Sequence, residues 1–190
     1  MREKLKKKIC IFGGSSSGIK KEHEKLAITL GQIIAENNFD IVYGGGENGI
    51  MGAIAKSSIT FGAKTIGIIP EHLIKDELIN TNFPNQTNTE LIITKTMHKR
   101  KQLMYSKSDA FLILPGGIGT LDECFEVLTW CQLNIIKNKN VGIINFSGYW
   151  DPLIKLIHNI INEQFMKIEN LNYFEEIKNI QSLRKFLKSI

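Results

Sequence analysis

Arg100 and Glu123 are the two residues of this sequence whose surroundings point most directly to chemistry. Arg100 stands in Met97-His98-Lys99-Arg100-Lys101, three cations and a histidine at the start of an expected helix. Met97, Leu103 and Met104 form the apolar stripe of that helix. Arg100, three residues after Met97 and four before Met104, falls on the same side. An arginine facing a core cannot shed its charge and needs an anion; a bound phosphate or the Glu123 carboxylate would serve. Glu123 ends the stretch Thr120-Leu121-Asp122-Glu123, which has two readings. It is a capping box, with Thr120 accepting from the amide three residues on and Glu123 reaching back, or it offers a carboxylate for chemistry. In the second reading a helix N-terminus favours the ionised form, so Glu123 acts as a base or a cation stabiliser rather than a proton donor. Asp122 is its neighbour on the first turn, and Thr129 lies two turns further along nearly the same face as Asp122.

Three glycine runs supply the matching electrophilic side. They are Gly13-Gly14-Ser15-Ser16-Ser17-Gly18, Gly44-Gly45-Gly46-Glu47-Asn48-Gly49 and Gly116-Gly117-Ile118-Gly119-Thr120. Each follows an apolar strand-like run and leads into a helix-like one, so all three belong to the carboxyl ends of strands, where open α/β sheets bind ligands. Backbone amides grip a phosphate only where no Cβ blocks the approach, and the helix N-terminus beyond adds free N–H groups and partial positive charge. The hydroxyls of Ser15–Ser17 and Thr120 add donors. Tight strand-to-helix turns also need glycine for geometry alone, which is the competing explanation for any one of them. No Gly-Lys-Ser/Thr follows these runs, so the Walker phosphate loop is excluded. The dinucleotide fingerprint fits formally at Gly44, Gly46 and Gly49, with Glu71 as the acidic ribose partner, but no second domain is evident to hold a hydride acceptor.

The elements that must position these residues read as repeated βα units feeding a doubly wound parallel sheet with helices on both faces, an α/β Rossmann-like fold. Strands are expected at Ile9–Phe12, Asp40–Tyr43, Thr65–Ile69, Leu91–Thr94, Ala110–Leu114 and Val141–Asn145, nearly continuous in large apolar residues as sheets covered on both sides require. Helices are expected at Lys21–Glu36, Ile50–Phe61, Met97–Ser106, Leu121–Asn134, Asp151–Gln164 and Glu175–Lys188. In the first, Leu26, Leu30, Ile33 and Ile34 make one stripe. The stretch Pro70–Thr89, rich in Asn and Thr, is expected to be an irregular loop of the kind that serves as a lid or binding loop. Neither a repeat nor a linker divides the chain, so residues 1–190 read as a single nucleotide-binding domain with a flexible basic segment at 1–8.

Net charge is +5, concentrated at Arg2, Lys4, Lys6, Lys7 and Lys8 and at Lys178, Arg184, Lys185 and Lys188. These runs read as solvated ends rather than a nucleic-acid or membrane surface, because no recognised binding module accompanies them. No apolar run resembles a signal peptide or a bilayer span. Cys10, Cys124 and Cys131 form no CxxC pair and leave an odd thiol under any pairing. They are expected to be buried thiols of a cytoplasmic protein, with no metal site.

With these motifs in hand, the sequence resembles the Lonely Guy family of cytokinin riboside 5′-monophosphate phosphoribohydrolases, formerly labelled lysine decarboxylases. The family pattern P-G-G-x-G-T-x-x-E is met by Pro115 through Glu123, and M-H-x-R-K by Met97 through Lys101. Val42-Tyr43-Gly44-Gly45-Gly46 with Gly49, Met51 and Gly52 also fits, as do Gly13-Gly14-Ser15 and Thr129-Trp130. The resemblance implies hydrolysis of a nucleoside monophosphate such as AMP to free base and ribose 5-phosphate. It maps catalysis to Arg100 and Glu123, and nucleotide contacts to Glu77, Arg100, Lys101, Gly116, Gly117, Ile118, Gly119, Thr120 and Thr129. Gly14, Ser15, Gly45 and Asp122 complete the expected substrate site. No cofactor is implied. The family's usual homodimer would use the helix Leu121–Asn134, which is apolar around most of its circumference. Asp122 departs from the second Glu of many members, and the Pro70–Thr89 loop is longer than in plant members, which makes Glu77 the least anchored assignment. The alternatives are a nucleotide- or molybdenum-cofactor-binding carrier without catalysis, an NAD-type enzyme, and amino acid decarboxylation. No lysine lies in a recognisable pyridoxal phosphate setting, which disfavours decarboxylation.

Overall fold

The computed structural model describes residues 6–74 and 88–190. Among these residues, seven strands form one all-parallel sheet: β1 Lys8–Phe12, β2 Asp40–Tyr43, β3 Thr65–Pro70, β4 Thr89–Thr94, β5 Ala110–Ile113, β6 Asn140–Ile144 and β7 Glu175–Ile177. Their order across the sheet is β4-β3-β2-β1-β5-β6-β7. The helices are α1 Lys21–Glu36, α2 Gly49–Thr60, α3 Met97–Ser106, α4 Ile118–Gln132, α5 Asp151–Asn162 and α6 Ile180–Ser189.

Alternation along each strand builds two cores. Ile9 and Ile11 of β1, Ile41 and Tyr43 of β2, and Ala110 and Leu112 of β5 join α1, α2 and α6 on one face. Cys10 and Phe12, Val42, and Phe111 and Ile113 join α3, α4 and α5 on the other. Burial on both sides explains why these strands carry almost no polar residues. Sheet order reverses between β1 and β5, so the turns after those two strands flank a crevice at the carboxyl edge. Such a switch point is where doubly wound sheets hold ligands.

One expected element is corrected. The segment Glu175–Lys188 is not a single helix: Glu175–Ile177 is a strand paired in parallel with β6, and α6 begins at Ile180. Asn179 interrupts it. Its Oδ1 accepts from the Ser182 amide at 2.9 Å while the Ser182 hydroxyl accepts from the Asn179 amide at 3.1 Å, a reciprocal cap that starts a helix afresh.

Candidate active site

Arg100 reaches the site because α3 follows the edge strand β4 and lies across the carboxyl ends of β3 and β2. Thr96 caps the helix, its hydroxyl accepting from the Lys99 amide at 3.2 Å. From the second turn the Arg100 guanidinium donates from Nε to the Ile68 carbonyl at 3.0 Å and from Nη2 to the Gly44 carbonyl at 3.5 Å. Nη1 lies 3.9 Å from Glu123 Oε1. The two side chains are almost equally hidden, at 12% and 10% exposure, so the expectation that Arg100 faces inward toward an anion is met. Gly44 makes this possible. A Cβ there would sit 2.1 Å from Nη2, inside the guanidinium itself.

Glu123 arrives differently from the capping reading. The N-cap of α4 is Gly117, with extended backbone and no side-chain cap bond. Thr120 is therefore already inside the first turn, buried, its hydroxyl filling the space beside Gly116. The box is not formed, because the helix starts at Ile118 and places Glu123 in the second turn. Freed from capping, the Glu123 carboxyl is buried beside Arg100. Burial is the dominant effect on its pKa and raises it. Arg100 and Lys101 pull the other way, Asp122 and Glu126 add to the rise, and the net result is a pKa of about 7. The expectation of a firmly ionised carboxylate is thus corrected: desolvation outweighs the helix terminus.

Lys101 bridges two carboxylates of α4, 3.1 Å from Asp122 Oδ2 and 3.0 Å from Glu126 Oε2. Burial alone would lower its ammonium pKa, but the Glu126 and Asp122 carboxylates outweigh that and raise it. Tyr105 donates its hydroxyl to Glu126. Burial first, and that carboxylate second, push the phenol up. Sequence reasoning singled out neither Glu126 nor Tyr105; their bond joins α3 to α4 across 21 positions of chain, and nothing local signals it.

The first and third glycine turns meet across the crevice. The Gly14 amide donates to the Pro115 carbonyl at 3.0 Å, and the Gly14 carbonyl accepts from the amide of Ile50 at 3.1 Å. Gly116 is wedged, since a Cβ would lie 2.1 Å from Thr120 Oγ1 and 2.8 Å from Gly14 N. Gly117 and Gly119 differ: among the described residues, a Cβ on either would meet nothing within 4 Å, and neither has positive φ. Neither packing nor backbone shape demands glycine at these two exposed positions, yet both stand at a helix N-terminus with amides unclaimed by the helix. Ile118 between them is 81% exposed.

The structure therefore brings together Gly14, Arg100, Lys101, Gly116, Gly117, Gly119, Thr120, Asp122 and Glu123, with Ser15 exposed beside Gly14 and Gly45 buried next to Gly44. Thr129 is not part of this cluster. It is exposed further along α4 and lines a small groove with Phe125, Leu128 and Ile160. Glu77 and most of the Pro70–Thr89 loop lie outside the described residues.

A family profile described as "Possible lysine decarboxylase" matches residues 51–187. A probable cytokinin riboside 5′-monophosphate phosphoribohydrolase of Oryza sativa subsp. japonica is 40% identical over 160 residues, 84% of this chain and 63% of that protein. A cytokinin riboside 5′-monophosphate phosphoribohydrolase of Arabidopsis thaliana is 42% identical over 160 residues, 84% of this chain and 72% of that one. The chain thus spans less than two thirds of the rice relative's length. Among solved structures, the molybdenum cofactor binding protein of the phototrophic bacterium Rippkaea orientalis shares the fold, with TM-score 0.66, 20% identity and 98% coverage of both chains. On the profile match and the identity to the plant proteins, this chain belongs to the Lonely Guy family.

Proposed function

We propose that the chain hydrolyses the N-glycosidic bond of a nucleoside 5′-monophosphate, AMP or a cytokinin riboside monophosphate, to free base and ribose 5-phosphate. The observation that carries this reading is the Arg100–Glu123 pair, with Glu123 at a pKa of about 7, beside a glycine turn whose open face is not filled by any of the described residues.

Each part has a role in that reaction. The amides of Gly117, Ile118, Gly119 and Thr120, at the N-terminus of α4, take the 5′-phosphate, and Gly14, Ser15 and Gly45 line the crevice around it. Holding the phosphate orients C1′, so binding energy remote from the scissile bond lowers the barrier. As the C1′–N bond lengthens, positive charge builds on the ribose. The Glu123 carboxylate stabilises that charge and takes a proton from the water whose oxygen attacks C1′. The base leaves with the bonding electron pair and is protonated by solvent. A pKa near the working pH suits a group that must accept and then release a proton. Arg100 holds Glu123 and the substrate anion in one place, while Lys101 and Asp122 contact the nucleotide.

The same reading takes residues 1–190 as a single Rossmann-like domain in the cytoplasm, which suits the three free, buried thiols Cys10, Cys124 and Cys131. It also takes the chain to be a homodimer or higher homo-oligomer. The exposed Ile118, Phe125 and Leu133 on and just beyond α4 support that view. Among the described residues no helix is long and apolar enough to cross a membrane.

Incubating the protein with AMP and with isopentenyladenosine monophosphate, and separating products by chromatography, tests the proposal. Free base and ribose 5-phosphate in equal amounts are expected. Tight nucleotide binding with no turnover would replace the hydrolase by a carrier.

A further inference from the structure

Tyr149 lies in none of the motifs, yet it touches the glycine turn directly. Its hydroxyl donates to the Gly116 carbonyl at 2.7 Å, 33 positions away in the chain. The ring is held from two sides, edge-on to His23 of α1 at 5.5 Å and 78°, and edge-on to Trp150 at 4.7 Å and 81°. The loop beneath it is pinned by buried Asn145, which accepts from the Trp150 amide at 2.8 Å and donates to Asp151 at 2.8 Å and Glu176 at 2.7 Å. The hydroxyl is thus delivered from a rigid base to one peptide.

That peptide is the most easily rotated in the turn. It joins Gly116 to Gly117, and with no Cβ on either side a flip of its plane meets little steric resistance. Being planar and trans, it points its N–H opposite to its carbonyl. With the carbonyl held by Tyr149, the Gly117 N–H faces away from Tyr149. A flipped plane would present the Gly116 carbonyl oxygen where that N–H stood, and an oxygen dipole repels an anion. The rest of Gly116 is already wedged by Thr120 and Gly14, while Gly117 is open.

We propose that Tyr149 is a positioning residue, whose hydroxyl locks the Gly116–Gly117 peptide in the orientation that offers the Gly117 amide to a sugar phosphate. This rests on the reading that the turn takes the 5′-phosphate. It adds a determinant of affinity that acts through the backbone and contacts no substrate.

The test is Tyr149→Phe, which removes the hydroxyl but keeps the ring contacts, with Tyr149→Ala beside it. Tyr149→Phe is expected to raise KM for AMP about tenfold, the effect of one lost hydrogen bond, with kcat within about twofold. It is also expected to weaken binding of ribose 5-phosphate, measured by calorimetry, by the same factor, and to leave adenosine binding unchanged. Native KM and native ribose 5-phosphate affinity in Tyr149→Phe would overturn the proposal, all the more clearly if Tyr149→Ala alone were impaired. The calorimetric arm separates the two readings. If the native protein released no base but bound ribose 5-phosphate more tightly than Tyr149→Phe does, the hydrolase would fall and the role of Tyr149 would stand.

Discussion

The second and third glycine turns use the same residue for opposite ends. In the second, the chain itself accounts for the glycines: Gly44 admits the Arg100 guanidinium, and Gly49 combines φ of +62° with a Cβ position 2.3 Å from the Ser15 backbone. In the third, Gly116 is enclosed in the same way, but none of the described residues closes over Gly117 or Gly119. The difference teaches that a glycine-rich motif mixes residues kept for the fold with residues kept for something outside it. Only the surroundings of each position tell them apart.

The largest effect expected from breaking that arrangement is at the carboxylate. Glu123→Gln should cut base release from AMP by about 10²–10⁴-fold, the range for a lost acid–base group, while nucleotide binding measured by calorimetry persists. Next is the glycine owned by the fold. Gly44→Ala forces the guanidinium off the Gly44 and Ile68 carbonyls and away from Glu123, so turnover should fall by about a hundredfold. Melting should register a destabilisation of about 1–3 kcal/mol, as overpacking does.

A third prediction concerns stability and pH. The Glu123 pKa is about 7 when folded against an ordinary 4.5, so this group favours the folded state fully below pH 4.5 and loses that contribution as pH rises through 7. The difference is about 3 kcal/mol at 1.36 kcal/mol per unit. Glu123→Gln should therefore gain stability relative to the native protein between pH 5 and pH 8, read from denaturant midpoints at each pH. A constant gap would place the carboxyl in water instead.

The smallest effects sharpen the comparison most. Gly119→Ala adds a methyl group to open space inside a helix and should stabilise the fold by about 0.5–1 kcal/mol, yet raise KM for AMP several-fold. If the turn has no ligand, the same variant gains stability and loses nothing.

Much of this was legible in the sequence because it is local. Strands buried on both faces leave continuous apolar runs, so β1, β2 and β5 are found to within a residue at each end. Helical spacing alone put Arg100 on the inward side of α3. β7 was not legible, because its three residues at the sheet edge include Glu175 and Glu176 and merge with the pattern of α6. The Thr120–Glu123 stretch imitates a capping box so well that only the position of Gly117 at the cap decides against it. The contacts that complete the site, Arg100 to Gly44, Tyr105 to Glu126 and Tyr149 to Gly116, each cross many residues and leave no periodic trace. The acidity of Glu123 depends on its burial, which only the packing of α4 on the sheet creates.

The most direct test is the pH dependence of kcat/KM for base release from AMP by the native protein. Activity is predicted to fall on the acid side with an apparent pKa near 7 and to be lower by about a hundredfold or more throughout in Glu123→Gln. A profile flat from pH 5 to 9, or a Glu123→Gln variant that matches the native rate, would contradict it.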